Sequence, residues 1–465
     1  MPPPEMRTSG DPRRGAPHIA LLPSAGMGHL TPFCRLAVGL SDSGCDVSFI
    51  TVQPTVSSAE SRRVAALLAA FPRLRPLDFR LADFDPSAFA STDPFFLRFE
   101  AIRRSAHLLP ALLAAASPPV SAVVVDISLV STFLPVLAGV GLPCYLLFTA
   151  SAAMLSLCAH FPAYIAAKTT AGVGDVEIPG LRTVPKSSIP LPLHDPNNLF
   201  TTQFVENGRI LQKACGILIN TFHALEQEAL DALNGGKVVP AGLPPVVAIG
   251  PLKPVIGCER GSPLPWLDAQ PARSVVYVSF GSRTAMSAEQ MKELGTGLER
   301  SGCRFLWVVK SKVVDREEEV ELEELLGEEY LERVRERGLV VKGWVEQEEI
   351  LGHVAVGGFL SHCGWNSVTE AALHGVPILA WPRLGDQRVN ADVMARGGLG
   401  IWVKEWSWEG EEKVVRGEEI GERVRELMED EGLRASAARL GKEAVKAVAV
   451  DGSSGKGLAE FIGKL

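Results

Sequence analysis

The stretch VVVDIS, residues 123–128, contains one carboxylate, Asp126, at the end of an otherwise apolar segment. Because an unpaired buried carboxylate is costly, this position predicts a polar partner. His29 lies in the loop SAGMGHLT, between the apolar segment HIALLP and a helix with Pro32 near its first turn. If both apolar segments are strands of one parallel sheet, their carboxyl ends share an edge, and Asp126 can orient His29 as a general base. A helix-capping histidine and a structurally bonded aspartate are the alternative, and position alone does not separate the two.

A second group of polar side chains surrounds the sequence HCGWNS in the second half of the chain. The preceding VGGFLSH predicts a buried strand, and the following VTEAALHG predicts a helix that ends at Gly375. The turn between them would present backbone N–H groups, His362, Asn366 and Ser367 at a helix N-terminus, an arrangement that suits phosphate. Glu370, about one turn along that helix, is placed to accept hydrogen bonds from ribose hydroxyls.

Other ligands fit these residues less well. His362 and Cys363 could bind a metal, but no further ligand stands at usable spacing, so we predict no metal site. The loop SAGMGHLT nearly matches the dinucleotide pattern GxGxxG, but Thr31 occupies the third glycine position. The second strand, FITVQPT, also ends without the acid that a dehydrogenase uses to bind ribose. Two classes of protein stay open as alternatives: a nicotinamide oxidoreductase and a non-catalytic sugar-nucleotide binder.

The composition is that of a globular protein with two domains. The 465 residues are too many for one core of ordinary size, and 46% are apolar and 22% charged. The net charge is −8 and no cluster of Lys and Arg is present, which argues against nucleic acid as a partner. Residues 1–16 contain no apolar signal segment and are expected to be a disordered tail. The eight cysteines form no CxxC pair, which predicts a reducing, cytoplasmic setting.

The elements that must position the polar residues form two similar units. Residues 18–51 and 274–309 each predict a strand, a glycine-containing turn, a helix and a strand, the unit of a parallel sheet. The segment 234–266 is rich in Pro and Gly, so we expect the domain junction near 250–265. Pro and Gly also interrupt the apolar segment 130–167, which favours a helix, a strand and a helix over a membrane span. The sequence thus predicts two doubly wound α/β halves.

The 44 residues Trp344–Gln387 resemble the signature box of plant family 1 UDP-glycosyltransferases. The matching residues are Trp344, Gln347, His362, Gly364, Trp365, Asn366, Ser367, Glu370, Pro382, Asp386 and Gln387. The wider resemblance covers about residues 17–465, including His29 and the turn VSFGS. It implies a GT-B fold, in which two Rossmann-like domains face a cleft and the last helix crosses back to the first domain. The expected units are an acceptor-binding domain at 17–250, a UDP-sugar-binding domain at 251–445 and the crossing helix at 446–465.

The resemblance also implies the roles of individual residues. The donor contacts are Trp344 and Gln347 at the nucleoside, Glu370 at the ribose, His362, Asn366, Ser367 and Ser282 at the phosphates, and Trp365, Asp386, Gln387 and Thr149 at the sugar, with Val345 and Gly364 also in the donor site. His29 matches the catalytic base and Asp126 its partner. The implied reaction inverts the anomeric centre and uses UDP-glucose as co-substrate. No metal or other cofactor is expected, and the enzyme is expected to be a monomer.

One departure from the wider family concerns the acceptor atom. The segment 91–110 and the order Asp126–Ile127 resemble the branch that makes C-glucosides of flavonoid-type polyphenols, whereas the nearest O-glucosylating relatives usually have Ile before Asp. We therefore expect glucose transfer to an aromatic carbon of a phloretin- or 2-hydroxyflavanone-type acceptor. O-glucosylation of phenolic hydroxyls is the alternative. Our hypothesis is that successive side chains near the strand end point to opposite sides, so the order changes the geometry of the carboxylate at His29.

The acceptor pocket is expected to be aromatic, because aromatic walls suit flat phenolics. The candidate acceptor-binding residues are Phe95, Phe96, Phe99, Arg103 and Ile127. The alternative for the first four is an amphipathic helix that packs against the core, since apolar residues recur there at helical spacing.

Overall fold

The structure, a computed structural model, describes residues 15–85, 87, 89, 94–168, 172–255, 264–281, 286–310, 321–343, 345–408 and 413–465. Of Pro94 and Phe95 only the backbone is described. The predicted donor residues Ser282 and Trp344, the predicted acceptor side chain of Phe95 and all but the last two residues of the predicted tail lie outside this part of the chain.

The described residues of the first half form a sheet of seven parallel strands in the order β3-β2-β1-β4-β5-β6-β7. These strands are β1 (His18–Leu22), β2 (Asp46–Gln53), β3 (Leu74–Arg80), β4 (Ala122–Asp126), β5 (Cys144–Phe148), β6 (Gly216–Ile219) and β7 (Val246–Ala248). Strands β1, β4 and β5 are buried along their whole length, as expected of parallel strands that are covered on both faces.

The described residues of the second half form a sheet of six parallel strands in the order β10-β9-β8-β11-β12-β13. These strands are β8 (Val275–Ser279), β9 (Arg304–Val309), β10 (Gly338–Lys342), β11 (Val356–Ser361), β12 (Ile378–Ala380) and β13 (Gly400–Trp402). The predicted domain boundary at residue 250 falls between β7 and β8.

Helices cover both faces of each sheet. In the first half they are α1 (Met27–Asp42), α2 (Ser58–Ala70), α3 (Pro94–Ser105), α4 (Leu109–Ala114), α5 (Val130–Gly139), α6 (Ala152–Ala167), α7 (Leu199–Ile210) and α8 (His223–Asn234). In the second half they are α9 (Leu264–Asp268), α10 (Ala288–Ser301), α11 (Leu322–Leu326), α12 (Glu328–Val334), α13 (Gln347–Leu351), α14 (Trp365–His374), α15 (Gln387–Arg396), α16 (Gly417–Glu429), α17 (Glu431–Ala447) and α18 (Ser453–Gly463).

Alternating side chains of each strand enter different hydrophobic cores. Along β1, Ala20 and Leu22 belong to one core, whereas Ile19 and Leu21 belong to the core on the opposite face. This period of two is what a strand that is buried on both faces requires.

The apolar segment 130–167 folds as predicted, into α5, β5 and α6. None of the helices in the described ranges combines the length and the apolar composition that crossing a bilayer requires.

The strand order reverses at the same place in each sheet. In the first sheet the reversal lies between β1 and β4, and in the second between β8 and β11. Because the chain leaves the two central strands toward opposite faces, a crevice opens beyond their carboxyl ends, and ligands of such sheets bind there. The prediction of two doubly wound halves is therefore confirmed, and both groups of predicted site residues follow strands that border a crevice.

The C-terminal helix α18 packs on the first half of the chain. Ser454 donates a hydrogen bond from its hydroxyl to the carbonyl of Gly250 at 2.6 Å. The buried ring of Phe461 meets the ring of Tyr145, on β5, edge to face with the centroids 4.9 Å apart. The last helix is thus part of the core beneath the first sheet.

We expect Phe461→Ala to lower the free energy of unfolding by about 3–5 kcal/mol, because it removes a buried aromatic ring and leaves a cavity. Chemical denaturation of the variant and the wild type in parallel measures the difference. Val445→Ala is the matched control, since Val445 is 56% exposed on the preceding helix and should change the value by no more than about 0.5 kcal/mol. Equal effects of the two substitutions would contradict this role of α18.

Candidate active site

His29 and Asp126 meet at the crevice of the first sheet. The Nδ1 of His29 lies 2.9 Å from Oδ2 of Asp126, whose side chain is completely buried at the end of β4. The hydroxyl of Thr149, just after β5, lies 3.1 Å from the same nitrogen. The sequence therefore predicted this pair correctly as neighbours. The resemblance implied a sugar contact for Thr149, and the contact of its hydroxyl with His29 was not predicted.

His29 belongs to the first turn of α1, which corrects the prediction that it lies in a loop. The helix begins at Met27, five residues before Pro32, because Gly26 adopts φ 95° and turns the chain directly out of β1. Pro32 lies inside the helix. A regular helix thus positions the imidazole, and the backbone N–H of His29 donates to the carbonyl of Gly26 at 3.0 Å.

Both oxygens of Asp126 are engaged. Its Oδ1 accepts hydrogen bonds from the backbone N–H of Ser128 at 2.8 Å and from the Ser128 hydroxyl at 2.6 Å, while Oδ2 faces His29. An ionised carboxylate only accepts, so the proton of a neutral imidazole sits on Nδ1 and the lone pair on Nε2. This arrangement provides an oriented general base.

The strand ends at Asp126, which corrects the hypothesis of side chains that alternate across this position. Ile127 begins a short 3₁₀ turn (Ile127–Leu129), and its half-buried side chain packs against the first-half core. The order of the two residues therefore decides whether the carboxylate closes the strand or sits on the turn.

The second crevice contains the turn that the sequence predicted, but the helix starts earlier than expected. Helix α14 begins at Trp365 rather than at Val368, so Trp365, Asn366 and Ser367 form its first turn. Gly364 occupies the N-cap position, where no side chain makes a capping hydrogen bond to the helix start. The helix ends as predicted at Gly375, which has φ 64°. An uncapped first turn has N–H groups available for an anion.

His362 lies beside this helix start. An added Cβ would come within 2.6 Å of its Nε2 at Gly281 and within 2.5 Å at Gly364, so only glycine fits on either side. Burial lowers the pKa of His362 to about 4. At neutral pH it is an uncharged hydrogen-bond donor rather than a cation.

Gln347, Ser367 and Glu370 form one hydrogen-bonded group. The amide nitrogen of Gln347 donates to Oε2 of Glu370 at 2.7 Å and lies 2.9 Å from the Ser367 hydroxyl. The other oxygen of Glu370 accepts a hydrogen bond from Arg35 of α1 at 2.7 Å. Burial raises the pKa of Glu370, and the Arg35 cation opposes this shift. Sequence reasoning missed Arg35, because its helical position carries no sign of a partner in the other domain.

The remaining predicted sugar contacts lie around α15. Gln387 accepts the backbone N–H groups of Arg383 and Leu384 at 2.7 and 3.0 Å through Oε1, so its amide N–H₂ is the group that can donate to a sugar hydroxyl. Asp386 accepts a hydrogen bond from Asn390 at 2.8 Å. Burial raises the pKa of Asp386, and the hydrogen bond from Asn390 opposes the shift.

The side chain of Trp365 is part of the second-half core. Its indole is buried in the second-half core and donates a hydrogen bond to the carbonyl of Asn220 at 2.8 Å. A contact with the sugar would therefore come from its backbone N–H in the first turn of α14. Val345 is half-buried against the same core.

Two of the hydrogen bonds between the halves lie beside the crevices. The side-chain nitrogen of Asn366 donates to the carbonyl of Gly28 at 3.1 Å. This carbonyl is available because Pro32, four residues later, has no N–H to donate to it. Ser151, at the start of α6, donates from its hydroxyl to Asn390 at 2.8 Å.

The predicted acceptor residues are less tightly grouped. Phe96 and Phe99 are half-buried on α3, and Phe99 packs against the first-half core. Arg103 is exposed and binds Glu100 through two hydrogen bonds of 2.7 and 2.8 Å. The contacts of Phe99 and Arg103 match the alternative of a core-packing helix. In the described part of the chain, no three His, Cys, Asp or Glu residues are grouped as metal ligands would be.

The pKa of His362 makes a prediction about stability. Because it lies below the ordinary value of 6.5, the folded state binds fewer protons, and stability present above pH 6.5 is lost as the pH falls toward 4. Between pH 7.5 and pH 5 we expect wild type to lose about 2 kcal/mol more than His362→Gln. Chemical denaturation at both pH values measures this, and equal losses would contradict a neutral buried imidazole.

Comparison with known proteins agrees with this geometry. Residues 244–431 match the family model of UDP-glucoronosyl and UDP-glucosyl transferases. The chain is 61% identical to UDP-glycosyltransferase CGT of Oryza sativa subsp. japonica over 98% of both chains, and 56% identical to UDP-glycosyltransferase 708A6 of Zea mays over 97% of both. The crystal structure of LpCGTa in complex with UDP matches with a TM-score of 0.86 at 51% identity, covering 97% of this chain and 99% of that one. The GT-B prediction is confirmed, and the chain belongs to the plant family 1 UDP-glycosyltransferases.

Proposed function

We propose that the protein is an inverting C-glucosyltransferase that moves glucose from UDP-glucose to an aromatic carbon of a polyphenol of the phloretin or 2-hydroxyflavanone type. The observation that carries the proposal is the His29–Asp126 pair, with the carboxylate closing the strand ahead of Ile127 and facing His29. The rice relatives named UDP-glycosyltransferase CGT support transfer to carbon, and the UDP complex of LpCGTa supports the donor.

In this proposal the donor lies in the second crevice. Glu370 accepts hydrogen bonds from the ribose hydroxyls, and Gln347 flanks the nucleoside. The first-turn N–H groups of α14 and the neutral His362 donate to the diphosphate, which gains negative charge as it leaves. The amide of Gln387 and the backbone N–H of Trp365 contact the glucose. Glu370 keeps lone pairs and Gln387 keeps its amide N–H groups after the contacts described above, so both can serve the ligand.

The chemical step begins at Nε2 of His29, which takes the proton of a phenolic hydroxyl while Asp126 stabilises the imidazolium. The phenolate makes the neighbouring ring carbon electron-rich. That carbon bonds to the anomeric carbon from the face opposite UDP, and the bond to the UDP oxygen breaks with its electron pair. The ring carbon then loses its hydrogen as a proton to water, which makes the ring aromatic again, and the phenolate oxygen takes back the proton held by the imidazolium. The anomeric centre is inverted.

Geometry decides between carbon and oxygen as the attacking atom, since one deprotonation activates both. Asp126 is held by Ser128 and in turn fixes the imidazole, so the acceptor hydroxyl must approach Nε2 in one orientation. We propose that this orientation brings the ring carbon, rather than the phenolate oxygen, in line with the sugar. Because one chain contributes residues to both crevices, we also propose that a monomer is sufficient. The free cysteines in the described part of the chain support a reducing, cytoplasmic setting.

Incubation with UDP-glucose and phloretin should give a glucoside that survives hot acid, because a C–C bond to the sugar resists hydrolysis whereas an O-glucoside releases the aglycone. Chromatography and mass spectrometry before and after hydrolysis measure this. His29→Ala is the control and should bind UDP but give no product. An acid-labile product would sink transfer to carbon. No product with any phenol, with UDP still bound, would favour a sugar-nucleotide binder.

Exchange of the two residues, Asp126→Ile with Ile127→Asp, should shift the product toward the O-glucoside. The carboxylate would then sit on the 3₁₀ turn and hold His29 differently. We expect the ratio of C- to O-glucoside to fall by about tenfold or more, equivalent to about 1.4 kcal/mol between the two transition states. Ser128→Ala is the control, because it loosens Asp126 without changing the order. An unchanged ratio in the exchange variant, with activity retained, would count against the residue order as the determinant.

A further inference from the structure

We propose that Arg35 is a positioning residue of the donor site, which from the first domain holds Glu370 charged and oriented to accept the ribose hydroxyls of the sugar nucleotide. The inference rests on the proposed role of Glu370. It assigns a function to a side chain that lies outside the signature box and in the domain that binds the acceptor.

The geometry is that of one cation between two carboxylates. A single nitrogen of Arg35, Nη2, lies 2.7 Å from Oε1 of Glu370 and 2.7 Å from Oε2 of Glu348. Such a nitrogen carries two hydrogens, so it can donate one to each carboxylate. The side chains of Arg35, Glu348 and Glu370 are 5%, 11% and 6% exposed, so the three charges are shielded from water and from salt.

Without the cation, the charged form of Glu370 would lose the strongest interaction that favours it. Burial raises the pKa of Glu370, Arg35 lowers it and the charge of Glu348 raises it. Removal of Arg35 leaves the hydrogen bond from Gln347 to favour the charged form, against burial and the charge of Glu348. A protonated carboxyl group has a hydrogen on one oxygen and becomes a poorer acceptor for a pair of hydroxyls. Arg35 therefore preserves the acceptor character that ribose recognition requires.

The contacts of Glu370 also fix its orientation. Arg35 binds one oxygen and Gln347 binds the other at 2.7 Å, so the carboxylate plane is defined by donors from two domains. Each oxygen has a second lone pair, and the carboxylate can accept two more hydrogen bonds. This matches the two hydroxyls of a ribose.

A purely structural tie between the domains would look different. Arg63, on α2, forms such a tie with Glu346 at 3.4 Å and does not contact Glu370. Arg35 instead reaches the residue that is proposed to bind the ligand. Substitution of Arg35 removes two ion pairs between the domains and substitution of Arg63 removes one, so Arg63 is the control for the loss of a tie that does not reach Glu370.

The test compares UDP with 2′,3′-dideoxyuridine diphosphate, which lacks the ribose hydroxyls, by calorimetric titration of the full-length protein. Wild type should bind UDP more tightly than the dideoxy compound. In Arg35→Met the affinity for UDP should fall about 10- to 100-fold, the range for a hydrogen bond to a charged group, while the affinity for the dideoxy compound stays unchanged. Arg63→Met should keep the wild-type ratio of the two affinities. The affinity of Arg35→Met for UDP should also rise with pH more than that of wild type, because deprotonation restores the charged form of Glu370.

The outcomes distinguish a failure of the proposed role of Glu370 from a failure of the role of Arg35. If wild type binds both compounds equally, the proposed role of Glu370 is wrong, and the role of Arg35 falls with it. If wild type discriminates and Arg35→Met discriminates equally, or loses both affinities in proportion, Arg35 has no positioning role. Should Arg35→Met fail to fold, Arg35→Gln with Glu348→Gln removes one buried charge of each sign. The wild-type ratio in that folded variant would overturn the inference.

Discussion

The structure depends on the reversal of strand order at the centre of each parallel sheet. Between β1 and β4, and again between β8 and β11, the chain departs toward opposite faces, which opens a crevice beyond the carboxyl ends of the two central strands. One crevice receives the base and its carboxylate, and the other receives the uncapped start of α14. With the crevices opposed, a nucleophile held by one sheet meets a leaving group held by the other, and the reaction takes place away from both hydrophobic cores.

Helix α1 is the element through which the two halves share the site. It carries His29 in its first turn and Arg35 less than two turns later, so the histidine that meets Asp126 and the cation that meets Glu370 belong to one rigid unit. The second half contributes in return, because Asn366 and Asn390 bond to the first half beside the cleft. The polar groups between the halves are therefore also parts of the site, which is economical for an enzyme that must bind two ligands before any bond changes.

Local features of the site could be predicted from the sequence, whereas partners from distant segments could not. Apolar runs that end in Asp126 and His362 predicted the ends of strands, and the carboxyl ends of neighbouring parallel strands lie at the same edge of a sheet. Gly375 announced the end of α14. Pro32, however, drew the predicted start of α1 too far along the chain, because proline is common in a first turn but is tolerated deeper when its missing bond is replaced. The pairing of Arg35 with Glu370, 335 residues apart, leaves no mark in spacing or periodicity.

Pro32 has a consequence that reaches beyond its own helix. It removes one hydrogen from the backbone ladder, and the oxygen left over at Gly28 becomes the anchor for Asn366 in the other domain. This hydrogen bond between the domains thus ends on a main-chain oxygen one residue before His29. Side chains that line the acceptor pocket can change during evolution to admit different phenols without moving this oxygen. The hydrogen bond that helix α1 lacks at Pro32 is thus replaced by a hydrogen bond between the two halves of the enzyme.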